Sequence, residues 1–144
     1  PWVVVDYAHT PDALQRVLTT LESAATGELW CVFGCGGDRD RGKRPMRGAV
    51  AADLADRVVL TDDNPRSEDP ARIVDDIRVG VADHPRVSVI HDRRTAIATA
   101  IERARPGDVV LVAGKGHEAE QLVGNERRAF SDRAVVAELL GAAP

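Results

Sequence analysis

The segment Asp62-Asp63-Asn64-Pro65-Arg66 gathers two carboxylates, an amide and a guanidinium within one short run. Pro65 fixes its own φ and pushes Asn64 toward an extended backbone, so the run is a stiffened loop. A guanidinium grips a carboxylate through two parallel hydrogen bonds, and a primary amide both donates and accepts. The combination reads as a receptor for a small zwitterion rather than for a nucleotide or an apolar molecule. A ligand with an extra carboxylate satisfies Arg66. A ligand without it leaves a desolvated charge unpaired, and such sites discriminate strongly.

Three other polar loops carry chemistry. In Asp6 to Thr10, Asp6 stands where a carboxylate commonly holds ribose hydroxyls, and His9 is suited to a base or a phosphate. Both residue types also serve as plain turn and cap features. In Gly34 to Arg44, the stretch Gly37 to Lys43 matches the spacing of a phosphate-binding loop, but Arg44 follows where Ser or Thr is needed for magnesium. Asp38 and Asp40 would repel phosphate there. A dinucleotide pattern fails too, because Arg39 occupies its last glycine position. The loop is better read as a glycine hinge presenting Arg39, Lys43 and Arg44 to anionic groups, or as a solvated charged loop. In Gly114 to Glu118, the glycines admit close backbone approach, Lys115 is suited to phosphate and Glu118 to an ammonium group.

The elements that must position these loops alternate. Apolar runs at 3–7, 29–33, 58–61, 87–90 and 109–113 predict strands. Between them, amphipathic patterns predict helices, among them one opening at Thr10-Pro11, one from Pro45-Met46 to about Asp56, one over about 70–82 and one from Arg93 to Ala104. A last helix is expected at 132–140, after a hairpin turning at Gly124-Asn125. Such alternation implies an α/β domain: a doubly wound, mostly parallel sheet of about six strands, one edge strand antiparallel, with helices on both faces. The four polar loops then follow four strands and share one edge of the sheet, where their side chains converge.

Bulk properties narrow the class. The chain has 144 residues, 44% hydrophobic and 29% charged, which fits one globular domain. Only five residues are aromatic, so aliphatic side chains must build the core. A net charge of -4, with arginines mixed among acids, argues against a nucleic-acid partner. No apolar run is long enough to span a membrane, and no signal peptide is visible. Two cysteines, Cys31 and Cys35, fall short of a zinc set and are expected as buried free thiols, which points to a reducing cytoplasm. Pro1-Trp2-Val3 enters a strand with no lead-in, as expected of a piece of a longer protein.

Four motifs in order carry a family resemblance: Asp6-Tyr7-Ala8-His9-Thr10-Pro11-Asp12, Phe33-Gly34-Cys35-Gly36-Gly37-Asp38-Arg39-Asp40, Asp63-Asn64-Pro65-Arg66 and Gly114-Lys115-Gly116-His117-Glu118. Together they resemble the C-terminal domain of the Mur ligases, in the branch that adds diaminopimelate. The resemblance spans essentially the whole chain. It implies that Arg39, Asp63, Asn64, Pro65, Arg66, Gly114 and Glu118 bind meso-diaminopimelate. In that reading Asn64 and Arg66 take its distal carboxylate and Glu118 an ammonium group. It implies that Asp6 and His9 touch ATP. It also implies ATP and Mg2+ as cofactors, UDP-N-acetylmuramoyl-L-alanyl-D-glutamate as the acceptor, a central domain that carries the phosphate loop and metal ligands, and an N-terminal domain involved in the UDP-sugar site. The isolated domain is then expected to be inactive. Lys115 and Arg39 are candidates for holding developing negative charge. A ligase for another amino acid such as lysine, and a non-catalytic amino-acid-binding module, are the competing readings.

Overall fold

The computed structural model describes residues 1–141. Its elements follow the predicted alternation: β1 (Trp2–Asp6), α1 (Pro11–Ala24), β2 (Leu29–Phe33), α2 (Lys43–Leu54), β3 (Arg57–Leu60), α3 (Pro70–Val81), β4 (Val87–Val89), α4 (Arg93–Arg103), β5 (Val109–Ala113), β6 (Glu120–Val123), β7 (Glu126–Ala129) and α5 (Asp132–Leu139). The main sheet has five strands in the order β1-β5-β2-β3-β4, all parallel.

Strand β2 explains the layering. Its side chains alternate, so Leu29, Cys31 and Phe33 enter one core while Trp30 and Val32 enter the other. The first core joins them to Leu14 and Leu18 of α1, Ala51 of α2 and Ile73 and Ile77 of α3. The second joins them to Ile97 and Ala100 of α4 and Val135 and Val136 of α5. A strand buried on both faces must be apolar throughout, as β2 and β5 are. Cys31 and Cys35 are free and buried, as expected. Burial pushes the Cys31 thiol up to about 12.

Two expectations differ in detail. The antiparallel pair β6–β7 does not extend the sheet edge but stands as a separate two-stranded hairpin. It is tied to the strand-end loops by a bridge between Arg66 and Val123 and by hydrogen bonds involving Glu120, Gln121 and Leu122. Its own faces are too polar to add a buried strand, since all four residues of β7 are exposed. Helix α2 begins at Lys43 rather than at Pro45. Proline is tolerated in a first turn because its missing N–H has no intrahelical partner to lose. Asp40 accepts from the Gly42 N–H at 3.0 Å and sets the helix entry. Elsewhere the caps are local, with Thr10, Asp69, Asp92 and Ser131 each accepting from the first turn of its helix. Among the described residues, no helix is long and apolar enough to cross a membrane.

One buried ion pair fastens the edge where the loops leave the sheet. Arg93 and Asp132, both fully buried, form two parallel contacts of 2.7 Å between the starts of α4 and α5. The same guanidinium donates to the carbonyls of Asp62 at 3.1 Å and Ala113 at 3.2 Å. It therefore ties the end of β3 to the end of β5.

Candidate functional site

The strand-end loops enclose an open cavity of about 450 Å³, lined in part by His9, Arg39, Asp63, Asn64, Arg66, Gly114 and Glu118. Those residues come from all four polar loops, so the convergence expected from a parallel sheet occurs. Asp6 is not in the lining. Its carboxylate accepts from the Ala8 N–H at 2.8 Å and shapes the turn. His9 is exposed at the rim, edge-on to Tyr7 with ring centroids 4.6 Å apart, and Tyr7 lies 6.4 Å from the His117 ring. Asp62 also leaves the site. It turns to His91 at 2.7 Å, and burial raises its carboxyl above the ordinary value despite that partner. Only one of the loop's two carboxylates, Asp63, serves the cavity.

Lys115 overturns a sequence expectation. It is fully buried, and its ammonium donates to Asn64 Oδ1 at 3.0 Å, to the Glu120 carbonyl at 2.6 Å and to Glu118 Oε1 at 3.3 Å. All three of its donors are used, so none remains for phosphate. Its role is orientation. Asn64 Oδ1 also accepts from the Leu122 N–H at 2.9 Å. Two donors on one side of the amide require oxygen there, which leaves the Nδ2 side for the cavity. Asn64 thus presents a donor to a ligand rather than both a donor and an acceptor. That is the polarity a carboxylate needs.

Arg66 is held in a conformation rare for a residue with a side chain, at φ +53°. Its N–H donates to the Leu122 carbonyl at 3.0 Å, and its carbonyl accepts from Gly124 at 2.6 Å. The β6–β7 hairpin therefore fixes the backbone of Arg66. The Arg66 Nη1 donates to the Gly37 carbonyl at 2.9 Å, while among the described residues Nε and Nη2 have no protein partner. Gly37 has no room for a Cβ, which would collide with the Pro65 carbonyl. The two loops are pressed together. Ser67 donates to Asp38, and Asp38 N–H donates to Glu68.

Arg44 departs from the sequence reading as well. It is buried, and its charge is taken up by Glu68 at 2.7 Å and Asp76 at 3.0 Å, with a further bond to the Gly36 carbonyl at 3.1 Å. Burying a guanidinium requires such partners. Arg44 is thus a staple between the glycine loop and the 63–68 loop, and Arg39, Arg41 and Lys43 are the exposed cations of their loop, Arg41 turned toward Asp76 at 3.4 Å. The Arg44 guanidinium in turn holds the Glu68 carboxyl down at about 2. A carboxyl depressed in the folded state stabilises the fold above its unfolded value and loses that contribution as pH falls through the folded value. In urea titrations, stability is therefore expected to decline between about pH 4.5 and pH 2, and less steeply in Glu68→Gln.

Arg47 is a lining residue that the motifs did not single out. It shares the buried stripe of α2 with Arg44, Gly48 and Ala51, so an arginine on the inner face at helical spacing was the available signal. Among the described residues, no group of three or more His, Cys, Asp or Glu side chains is arranged to hold a metal ion.

Residues 1–116 match the family model of the Mur ligase, glutamate ligase domain. The chain belongs to the Mur ligase family. Among solved structures, it superimposes with a TM-score of 0.92 and 51% identity on a UDP-N-acetylmuramoyl-L-alanyl-D-glutamate--2,6-diaminopimelate ligase, covering 96% of this chain and 29% of that one. The chain thus spans under a third of that relative's length. A domain of a Mur-type ligase from Haemophilus ducreyi matches with a TM-score of 0.60 at 15% identity, over 96% of this chain and 88% of that one. The folylpolyglutamate synthase of Mycobacterium tuberculosis, solved with ADP and AMPPCP, matches at 0.62 and 22% identity, over 99% and 30%. These last two likenesses establish the shared fold of the family domain.

Proposed function

We propose that this chain is the amino-acid-binding domain of a longer ATP-dependent ligase, one that joins meso-diaminopimelate to UDP-N-acetylmuramoyl-L-alanyl-D-glutamate in peptidoglycan synthesis. The observation that carries the reading is the donor edge made by Asn64 and Arg66. Lys115 fixes the amide and the hairpin fixes the arginine's backbone, and both residues line the same cavity. A distal carboxylate satisfies that edge, and lysine has none to offer. Asp63 and Glu118 supply negative charge beside it, suited to ammonium groups. Arg39, exposed and in the lining, adds positive charge that draws a diacid into the cavity.

ATP supplies the phosphoryl group that activates the D-glutamate γ-carboxylate as an acyl phosphate. The diaminopimelate amine attacks that carbonyl, the amide bond forms and phosphate leaves. The contribution of this domain is to hold the amine in reach and exclude other amino acids. His9, with the Tyr7 ring against it, offers a contact at the nucleotide's edge, and Asp6 supports that turn. Magnesium is assigned to domains beyond this chain. ATP and UDP-linked substrates, with buried free thiols, favour a cytoplasmic setting.

The test is phosphate release by the full-length protein. It is expected to require ATP, magnesium, the UDP-linked dipeptide and diaminopimelate together. The 144-residue chain alone is expected to release none. Turnover by the pure chain, or full-length turnover independent of the amino acid, overturns the assignment.

A further inference from the structure

Three arginines are deeply buried, and one lacks what the other two have. Arg44 holds Glu68 and Asp76, and Arg93 holds Asp132. Arg47, 5% exposed, forms no ion pair among the described residues. Its Nη1 donates to the Cys35 sulfur at 3.1 Å, a weak acceptor, and its Nε and Nη2 are buried with no partner among the described residues. The guanidinium carbon lies 5.4 Å from the centre of the Phe33 ring, which supports the plane without satisfying a donor. A buried cation with idle donors is costly unless something supplies an acceptor.

The surroundings say what fits. Gly114, at φ +114°, packs closely against both Asp63 and Arg47. A Cβ there would stand 3.8 Å from Arg47 Nη2 and 2.7 Å from Asp63 Oδ2. Without a side chain at Gly114, a cation and a carboxylate stand near one another, and both line the cavity. Phosphate would be repelled by Asp63. A carboxylate next to an ammonium group on one carbon satisfies both walls.

Resting on the functional reading above, the geometry points to Arg47 as a further specificity-determining residue: it binds a carboxylate of the incoming amino acid at the cavity floor, with Asp63 taking the neighbouring ammonium group. Arg66 and Asn64 serve the other carboxylate. The floor thus selects for an amino-acid head group and the donor edge for a second acid, so a diamino-diacid is held at both ends.

The experiment is steady-state kinetics of the full-length protein, wild type, Arg47→Met and Arg47→Lys, with melting temperatures alongside. Arg47→Met is expected to raise KM for meso-diaminopimelate about tenfold or more, with KM for ATP unchanged, from the loss of a charged hydrogen bond. Arg47→Lys is expected to recover part of that loss. The melting temperature of Arg47→Met is expected to hold or rise, because an apolar side chain replaces an unpaired charge. Unchanged KM in both variants, or a fall in melting temperature as the sole effect, overturns the contact and leaves the functional reading standing. A wild-type protein that does not ligate diaminopimelate overturns the reading itself, and the contact with it.

Discussion

Arg66→Ala in the full-length protein is expected to remove most of the preference for meso-diaminopimelate over lysine, by a factor of about a hundred or more. The size follows from what the side chain faces. Its Nη1 is spent on the Gly37 carbonyl, and the remaining donors are the ones proposed to serve the ligand. A charged hydrogen bond contributes about 1.5–3 kcal/mol, and a bidentate grip on a carboxylate combines two. Removing the guanidinium deprives diaminopimelate of that grip and leaves its distal carboxylate against Asn64 alone. Lysine, which has no carboxylate at that end, loses nothing. The ratio of kcat/KM for the two amino acids is the measurement. Retained selectivity in the variant means that the donor edge is not the selector. Arg66→Lys is expected to fall between, since an ammonium keeps the charge but loses the planar fork.

Arg93→Ala is expected to be the most destabilising single change in the domain, at about 3–5 kcal/mol. It would strand the fully buried Asp132 carboxylate and release the Asp62 and Ala113 carbonyls. For a domain whose whole stability is of order 5–15 kcal/mol, that loss leaves a large unfolded fraction. The two carbonyls belong to the strand ends from which Asp63 and Gly114 depart, so the loss is also a loss of site geometry. Replacing both partners, as Arg93→Met with Asp132→Leu, is expected to cost much less, because no charge is left uncompensated. Urea unfolding of the single and double variants checks this. Equal losses in both would mean that packing around the pair, rather than charge, sets its contribution.

Much of the fold was legible because the chain's local signals agree with one another. Strand β2 is an unbroken apolar run, as burial on both faces demands, and Thr10-Pro11 opens α1 where the capping rule puts it. The convergence of the polar loops followed from parallel strands alone. The hairpin was legible as a hairpin, but its place was not. Pairing to the sheet or standing apart depends on the exposed face of β7 and on the Arg66–Val123 bridge, which are tertiary facts. Side-chain polarity was the other blind spot. Lys115 and Arg44 read as cations for a ligand, because sequence does not reveal which carboxylates and carbonyls will lie beside them. Asn64 read as ambivalent until Lys115 and Leu122 claimed its oxygen. Arg47 was hidden in the same way: its position on the inner stripe of α2 was visible, but its lack of a partner was not.

The cavity between the strand-end loops is proposed to choose the amino acid. The most direct measurement supplies the full-length protein with ATP, magnesium, the UDP-linked dipeptide and equal concentrations of meso-diaminopimelate and lysine, then weighs the products by mass spectrometry. The diaminopimelate product is expected to exceed the lysine product at least a hundredfold. A lysine product in equal or greater amount would contradict the role given to Asn64 and Arg66.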